Sequence, residues 1–249
     1  MHFASYGIER LRQGGTMLSE IELKEIGPVT GKKLLHLQCH IGTDTLSWVQ
    51  AGALVTGVDF SAQSLTLAAQ LRDELHLEAR FIQANVYELK QKLEDTFDIV
   101  YTSRGVLCWL RDLSEWAGII SHYLKPGGIF YIMETHPTCM IFDEEKCGKL
   151  EVKYSYFHQE KPLMVEGGTP DYADQSYCAT NPTYEWNWSL SDIINSLIKA
   201  GLVIEFVHEY DQLFYQGLKD MVQTKSGWWY LPDYEHQLPF TFSLRARKT

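Results

Sequence analysis

Between residues 33 and 135, short apolar runs alternate with amphipathic stretches, and this alternation constrains the fold more than any other feature of the chain. Short apolar runs that end in loop residues predict strands, and the amphipathic stretches between them predict helices. The predicted strands are 34–38, 54–59, 79–85, 97–103 and 129–135, and the predicted helices are 44–52, 61–75 and 113–124. Because strands that alternate with helices need crossover connections, the pattern predicts a doubly wound α/β fold with a mostly parallel sheet.

After residue 136 this periodicity weakens and then returns as a helix at 190–201 and strands at 202–210 and 240–248. A chain of 249 residues with 45% hydrophobic residues suits one packed domain, so 1–249 is predicted to be a single domain. Residues 1–30 are expected to form a helical cover at the N-terminus. Two aromatic-rich stretches, 137–188 and 211–237, are interpreted as inserts into this domain, lying over the substrate side.

Charge and cysteine content exclude several classes of partner. The formal net charge of −10 argues against nucleic acid, whose binding depends on Lys and Arg neutralising phosphates. No apolar run approaches the roughly 20 residues that span a membrane, and no secretory signal is evident. The five cysteines form no CxxC pair, so neither a disulfide framework nor a zinc or other metal site is predicted. Reduced thiols and a cytoplasmic location are therefore expected, while the oligomeric state stays open.

The loops after the strands are the candidate binding loops, because open α/β sheets bind ligands outside the carboxyl ends of their strands. These loops contain residues 38–44, 59–61, 85–87, 103–107 and 135–137. In the first of them, Gly42 lets the backbone approach a ligand closely and precedes a helix whose N-terminal amides attract anions. An ordinary turn glycine is the alternative.

Two polar residues end the next strands. The Asp59 carboxylate can accept hydrogen bonds from both ribose hydroxyls of an adenosine. It can instead cap the following helix, although Ser61 is the better N-cap. The Asn85 side chain offers a donor and an acceptor, which match the edge of adenine, but it can also cap its own turn.

In this order, these residues resemble the class I S-adenosylmethionine-dependent methyltransferases over about 31–136, with a looser match to 247. LKPGG at 124–128 is typical of that family. The family's first motif is acidic-x-Gly-x-Gly-x-Gly, whereas the segment LLHLQCHIG has His36, Gln38 and His40 in place of the acidic residue and two glycines. Only Gly42 is kept. With VTGVDFS and GVLCWL, this variant loop resembles one particular branch of the family.

The resemblance implies a Rossmann-like sheet of seven strands whose last strand, about 240–247, is antiparallel to the rest. It also implies S-adenosylmethionine as the cofactor, with its methionine part beside the first loop, its ribose on Asp59 and its adenine near the next two loops. The residues predicted to bind it are Gln38, Cys39, His40, Gly42, Asp59, Phe60, Ser61, Asn85, Val86 and Ser103. Asp44, or backbone carbonyls after the fourth strand, would replace the missing acidic residue.

Methyl transfer relies mainly on holding the nucleophile close and aligned, and it needs a general base only where the nucleophile must lose a proton. His136, directly after the fifth predicted strand, is the candidate base; the alternative is a solvated loop histidine held by Pro137. His40 is a second candidate base, although cofactor contact suits it better. Glu134 is interpreted as structural.

The predicted function is methyl transfer from S-adenosylmethionine to a small-molecule acceptor, under a lid of aromatic side chains that would exclude water. Two alternatives stay open. An NAD-dependent oxidoreductase on a related fold shares the glycine turn and the acidic residue, but the chain lacks GxGxxG. A protein that binds S-adenosylmethionine or S-adenosylhomocysteine without catalysis is compatible with the altered first motif.

Overall fold

The computed structural model describes residues 7–166 and 181–249. Residues 1–6 of the expected N-terminal cover, and residues 167–180 of the first aromatic insert with Tyr172, Tyr177 and Cys178, lie outside the described residues. In chain order, the strands are β1 (Lys33–Leu37), β2 (Leu54–Asp59), β3 (Ala79–Gln83), β4 (Phe97–Thr102), β5 (Leu124–Thr135), β6 (Leu163–Val165), β7 (Thr183–Glu185), β8 (Leu202–Tyr210), β9 (Gln212–Leu213), β10 (Val222–Gln223), β11 (Trp229–Tyr230) and β12 (Thr241–Lys248). The helices are α1 (Ile8–Arg12), α2 (Glu20–Ile26), α3 (Thr43–Gln50), α4 (Ala62–Glu74), α5 (Leu113–Tyr123) and α6 (Leu190–Lys199).

Seven of these strands form one sheet in the order β3-β2-β1-β4-β5-β12-β8. The neighbouring pairs among β1 to β5 are parallel, and β12 runs antiparallel to both β5 and β8. The strand order reverses at β1 and β4, which is where open α/β sheets bind ligands. The predicted mostly parallel sheet with an antiparallel last strand is confirmed.

Helix starts follow from the residues at the caps. Ser61 caps α4 by accepting a hydrogen bond from Ser64 N at 3.2 Å, as the sequence predicts. Asp112 caps α5 in the same way, and Ser189 begins α6 with a capping box. Because side-chain oxygens here satisfy the first free amides of each helix, the loops before these helices have defined ends.

Apolar residues cover both faces of the sheet. On one face, α5 and α6 pack through Trp116, Ile120 and Leu197. On the other face, α2 and α3 pack against the strands through residues such as Ile26 and Trp48, and α4 joins them beside α3. The three layers leave the ends of the strands for the loops that form the site.

The segment 125–128, KPGG, lies between the predicted helix 113–124 and the predicted strand 129–135, where its proline and glycines indicate a turn. In the structure, α5 ends at Tyr123 and β5 begins at once with Leu124, so this segment lies within the strand. The pairing with β4 shifts register here, and Gly127 has φ 77°, which favours glycine. Glycine therefore absorbs an irregularity in the strand instead of forming a separate turn.

The two aromatic inserts pack against each other. Their shared apolar cluster comprises Cys139, Phe142, Leu213, Leu218, Met221, Leu231 and, just before the last strand, Phe240. The short strands β9, β10 and β11 form a separate small sheet, and β6 pairs with β7. Part of each insert is therefore a secondary core attached to the sheet through Phe240.

Candidate active site

The loop between β1 and α3 has three residues with a left-handed backbone: Gln38 at φ 56°, His40 at φ 50° and Gly42 at φ 75°. This conformation costs residues other than glycine about 1–2 kcal/mol. At Gly42, a Cβ atom would also lie 3.0 Å from Ala68 Cβ and from the Phe81 ring. The loop therefore keeps a glycine-type backbone at all three positions of the motif, although two of them carry side chains.

Asp59, at the end of β2, joins this loop to the next one. Its Oδ2 accepts a hydrogen bond from His40 N at 2.8 Å, and its Oδ1 accepts one from Ser61 N at 2.9 Å. The residue is only 7% exposed. Each carboxylate oxygen can accept more than one hydrogen bond, so these contacts fix the carboxylate and leave it able to accept others.

The loops after β2 and β3 differ in how they present their side chains. The Phe60 ring is 73% exposed, directly beside the buried Asp59. The Asn85 side chain is exposed, but its Oδ1 accepts from Tyr87 N at 3.1 Å, the local turn that the sequence left as an alternative. The Val86 side chain is 8% exposed and packs in the core.

His36, which replaces the acidic residue of the family motif, belongs to a buried hydrogen-bonded chain. Its Nδ1 lies 2.8 Å from Thr45 Oγ1 and its Nε2 lies 3.0 Å from Ser103 Oγ. Burial lowers the His36 pKa to about 3, so the ring is neutral. Ser103 also lies beside Asp44, where it acts to lower the pKa of that carboxyl group.

A second group of charges, which the sequence did not indicate, lies beside Asp44. The Arg104 guanidinium donates to Glu22 Oε2 at 2.5 Å and lies over the Phe214 ring at 5.3 Å. Glu22 is fully buried and also accepts from Tyr101 Oη at 2.6 Å. Arg104, just after β4, thereby connects α2 to the loop that carries Ser103.

Asp44 is expected to give the stability of the protein a specific pH dependence. Burial, offset by Arg104 and reinforced by Glu22, raises the Asp44 pKa to about 6 from its ordinary value of 3.8. A raised carboxyl pKa means that the folded state holds the proton more tightly than the unfolded state does. Protonated Asp44 therefore contributes stability at low pH, and this contribution is lost as the pH rises from about 4 to 6. Relative to wild type, Asp44→Asn should gain unfolding free energy across this window and level off above it.

Urea unfolding of both proteins at four pH values from 4.5 to 7.5 measures this difference. The groups that face Asp44 are Glu22, Arg104 and Ser103, and the same groups remain in the variant. A difference between the two proteins that stays constant with pH would show that Asp44 does not titrate in this window.

Glu134, at the end of β5, organises the loop after β4. Its carboxylate accepts hydrogen bonds from the backbone amides of Gly105 and Val106 at 2.7 Å, of Leu107 at 3.2 Å and of Thr135 at 2.7 Å. The residue is 3% exposed. Its interpretation as structural fits these contacts, which also fix the backbone next to Ser103 and Arg104.

His136, the candidate base, is 3% exposed. Its Nδ1 accepts from Thr138 N at 3.0 Å, so a neutral ring carries its proton on Nε2, which lies 2.9 Å from Glu209 Oε1 on β8. The second contact lacks the alignment of a hydrogen bond and is electrostatic. Burial lowers the His136 pKa and Glu209 partly opposes this, so the ring is neutral and both nitrogens have neighbours. A role as general base stays a prediction.

Both aromatic inserts contact the loop after β4. Trp186 N donates to Cys108 O and Trp188 Nε1 donates to Leu110 O, each at 2.9 Å. The His158 ring stacks on Trp188 at 3.7 Å. From the second insert, Phe214 contacts Arg104. The inserts thus border the same edge of the sheet as the predicted cofactor loops.

Other features lie away from these loops. Two surface clefts lie at the amino ends of the strands, one beside Lys33 and Arg72 and the other beside Lys125 and Arg247. In residues 7–166 and 181–249, no group of three or more His, Cys, Asp or Glu side chains is placed to hold a metal ion. No helix in the same ranges has the length and apolar character to cross a membrane.

Comparison with known proteins matches residues 35–130 to the profile of a family described as "Methyltransferase domain". The chain carries a methyltransferase domain. Its recognition as class I is confirmed, and S-adenosylmethionine is the cofactor of that class.

Over 107 residues, the domain is 34% identical to methyltransferase phqN of Penicillium fellutanum, covering 42% of this chain and 32% of phqN. Over 113 residues, it is 30% identical to the cypemycin N-terminal methyltransferase of a Streptomyces species, covering 44% of each protein.

Solved structures share the whole fold of this methyltransferase domain at low sequence identity. An S-adenosylmethionine-dependent methyltransferase from Mesorhizobium loti superposes with a TM-score of 0.62 at 20% identity, covering 91% of this chain and 95% of the other. A putative S-adenosylmethionine-dependent methyltransferase from Listeria monocytogenes superposes with a TM-score of 0.61 at 19% identity, covering 92% of this chain and 97% of the other. By contrast, the chain matches less than half of the length of the two curated relatives above.

Proposed function

We propose that this chain binds S-adenosylmethionine at the carboxyl edge of its sheet and transfers the methyl group to a small-molecule acceptor. The observation that carries this proposal is the fixed carboxylate of Asp59 beside the exposed Phe60 ring, next to a loop with a glycine-type backbone. A relative that is 29% identical over 119 residues is named a ubiquinone biosynthesis O-methyltransferase, which supports a small acceptor.

The residues present fit the cofactor. Asp59 would hold the ribose hydroxyls, and Phe60 offers an aromatic face to the adenine. Gln38 Oε1 is buried and has no hydrogen-bond partner among the described residues, which suits a donor such as the ammonium group of methionine. Ser103 is already bonded to His36 and lies beside Asp44, so its proposed part is to order this end of the site.

When bound, the cofactor supplies a methyl group on a cationic sulfonium, which an acceptor attacks in line. The protein's part is then to hold both partners and exclude water. Glu134 fixes the loop after β4 through backbone amides, and the inserts at 137–188 and 211–237 are proposed to cover the acceptor. Helices α1 and α2 belong to the proposed cover formed by residues 1–30.

Calorimetric titration tests this function. S-adenosylmethionine and S-adenosylhomocysteine should bind and NAD should not. NAD binding without a response to S-adenosylhomocysteine would overturn the assignment in favour of an oxidoreductase. Incubation with S-adenosylmethionine carrying a labelled methyl group and a panel of small amines, phenols and thiols should then give a labelled product. Binding without any label transfer across the panel would favour the non-catalytic alternative.

Asp59→Ala is expected to weaken S-adenosylhomocysteine binding by about 1.5–3 kcal/mol, the range for hydrogen bonds to a charged group. Calorimetry measures the affinity and circular dichroism checks the fold. Because Asp59 also accepts from His40 N and Ser61 N, Asp59→Asn is the matched variant that keeps one acceptor oxygen. Unchanged affinity in the alanine variant would show that Asp59 only orders the two loops.

Replacing both Gln38 and His40 with glycine is expected to lower cofactor affinity, because we propose that these side chains line the methionine end. The double variant should nevertheless fold well, since glycine relieves the left-handed backbone at φ 56° and 50°. Affinity from calorimetry and melting temperature from circular dichroism separate the two effects. A stable double variant that binds the cofactor more tightly than wild type would contradict this role.

The proposed partners follow from the same reasoning. The described cysteines Cys39, Cys108, Cys139 and Cys147 are free thiols, which is typical of the cytoplasm, and we propose that location. The net charge of −10 supports a small molecule over nucleic acid as the partner.

A further inference from the structure

Two buried side-chain atoms at the candidate site have no hydrogen-bond partner in the part of the chain that the structure describes: Gln38 Oε1, an acceptor, and Arg104 Nε, a donor. The rest of each side chain is anchored. Gln38 Nε2 donates to Val106 O at 3.2 Å, and Arg104 Nη2 donates to Glu22 Oε2 at 2.5 Å. Buried polar atoms are nearly always hydrogen-bonded. Two such atoms that lack a hydrogen-bond partner, on side chains held in place by other contacts, therefore point to a ligand.

The fold places these two atoms at neighbouring strand ends. Gln38 directly follows β1 and Arg104 comes two residues after β4, and these strands pair with Leu37 opposite Thr102. The remaining unpaired buried atoms belong to α3, α5, β4, β12 and His136. Gln38 and Arg104 are thus the two such residues in the loops after β1 and β4, where strand order reverses.

We propose that Gln38 and Arg104 form a side-chain clamp for the amino-acid end of the cofactor. In this clamp, Gln38 Oε1 accepts from the ammonium group and Arg104 Nε donates to the carboxylate. The clamp rests on the proposed function, and it adds selectivity for a nucleoside thioether or sulfonium that carries an intact α-amino acid.

The chemistry of the two atoms matches these groups. An ammonium group only donates hydrogen bonds and a carboxylate only accepts them, which are the complements of an amide oxygen and a guanidinium N–H. The Arg104 charge is already balanced by Glu22, with Asp44 close by. The ammonium and carboxylate of an amino acid together add no net charge beside Arg104, Glu22 and Asp44. A ligand that carries only the ammonium or only the carboxylate would add one.

Calorimetry with three ligands tests the clamp. S-adenosylhomocysteine has both groups, its decarboxylated analogue keeps only the amine, and 5′-methylthioadenosine has neither. Wild type should bind S-adenosylhomocysteine at least about 10-fold more tightly than the decarboxylated analogue, the effect of one hydrogen bond to a charged group.

Two variants separate the halves of the clamp. Arg104→Lys keeps the charge beside Glu22 and loses the Nε donor. It should therefore lower the affinity for S-adenosylhomocysteine by about 10-fold and leave the affinities for the other two ligands unchanged. Gln38→Met keeps the length of the side chain but loses the Oε1 acceptor. It should therefore lower the affinity for the two ligands that carry an amine and leave the affinity for 5′-methylthioadenosine unchanged. Arg80→Lys, at an exposed ion pair with Asp95, is the matched control and should change no affinity.

Each outcome bears on a different proposal. If wild type bound S-adenosylhomocysteine and its decarboxylated analogue equally, or if Arg104→Lys weakened all three ligands alike, the clamp would be wrong while cofactor binding stood. If folded wild type bound none of the three ligands, the proposed function itself would fall and the clamp with it.

Discussion

Glu134→Ala is expected to lower the free energy of unfolding by about 3–5 kcal/mol, because each buried amide left without an acceptor costs about 1–3 kcal/mol. The amides of Val106, Leu107 and Thr135 lose their carboxylate partner, and all three residues are buried. The same loop carries Arg104, so S-adenosylhomocysteine binding should fall below detection. Urea unfolding measures the first effect and calorimetry measures the second.

Two further variants make this expectation specific. Glu134→Gln keeps one acceptor oxygen and should cost about 1–3 kcal/mol, between wild type and alanine. Glu88→Ala, at an exposed position, should stay within about 0.5 kcal/mol of wild type. If Glu134→Ala unfolded at the same urea concentration as wild type, the carboxylate would not be what holds the loop.

The sheet was predictable because its elements are local patterns. Apolar runs, helix caps such as Ser61 and the glycine at position 42 each leave a signal within a few residues, and the structure has all three where the sequence places them. The KPGG segment is the exception. Its residues signal a turn, but pairing with β4 draws them into β5.

The charged groups of the site were harder to predict because they meet through tertiary packing. In the structure, Ser19 and Glu22 form the capping box of α2, a local arrangement within four residues. That Glu22 also binds Arg104, 82 residues later, depends on how α2 packs on the sheet. Likewise, Glu134 looked structural, and only the fold shows that it holds a loop of the site.

The variant first loop lies between these cases. The spacing of the family motif identifies positions 38, 40 and 42, and the backbone at all three is left-handed. Residue types alone would not predict this, since a positive φ is uncommon for residues other than glycine. His36 shows the same limit: its neutral ring and its place between Thr45 and Ser103 follow from burial.

Breaking the buried ion pair between Glu22 and Arg104 should have the other large effect on stability. Glu22→Met is expected to cost about 3–5 kcal/mol, since it leaves the guanidinium without its partner and Tyr101 Oη without an acceptor. The double variant Glu22→Met with Arg104→Met should recover the part of this loss that comes from the unpaired guanidinium, because apolar side chains of similar size can replace a buried pair.

Urea unfolding of wild type, both single variants and the double variant gives the coupling energy, which we expect to reach about 2–3 kcal/mol. The matched control is the same cycle on the ion pair of Lys33 and Asp95, at 3.3 Å with side chains 48% and 43% exposed. Solvent screens that pair, so its coupling should stay below about 1 kcal/mol. Additive losses at Glu22 and Arg104, within about 0.5 kcal/mol, would mean that each residue stabilises the fold through separate contacts and that α2 does not depend on their pairing.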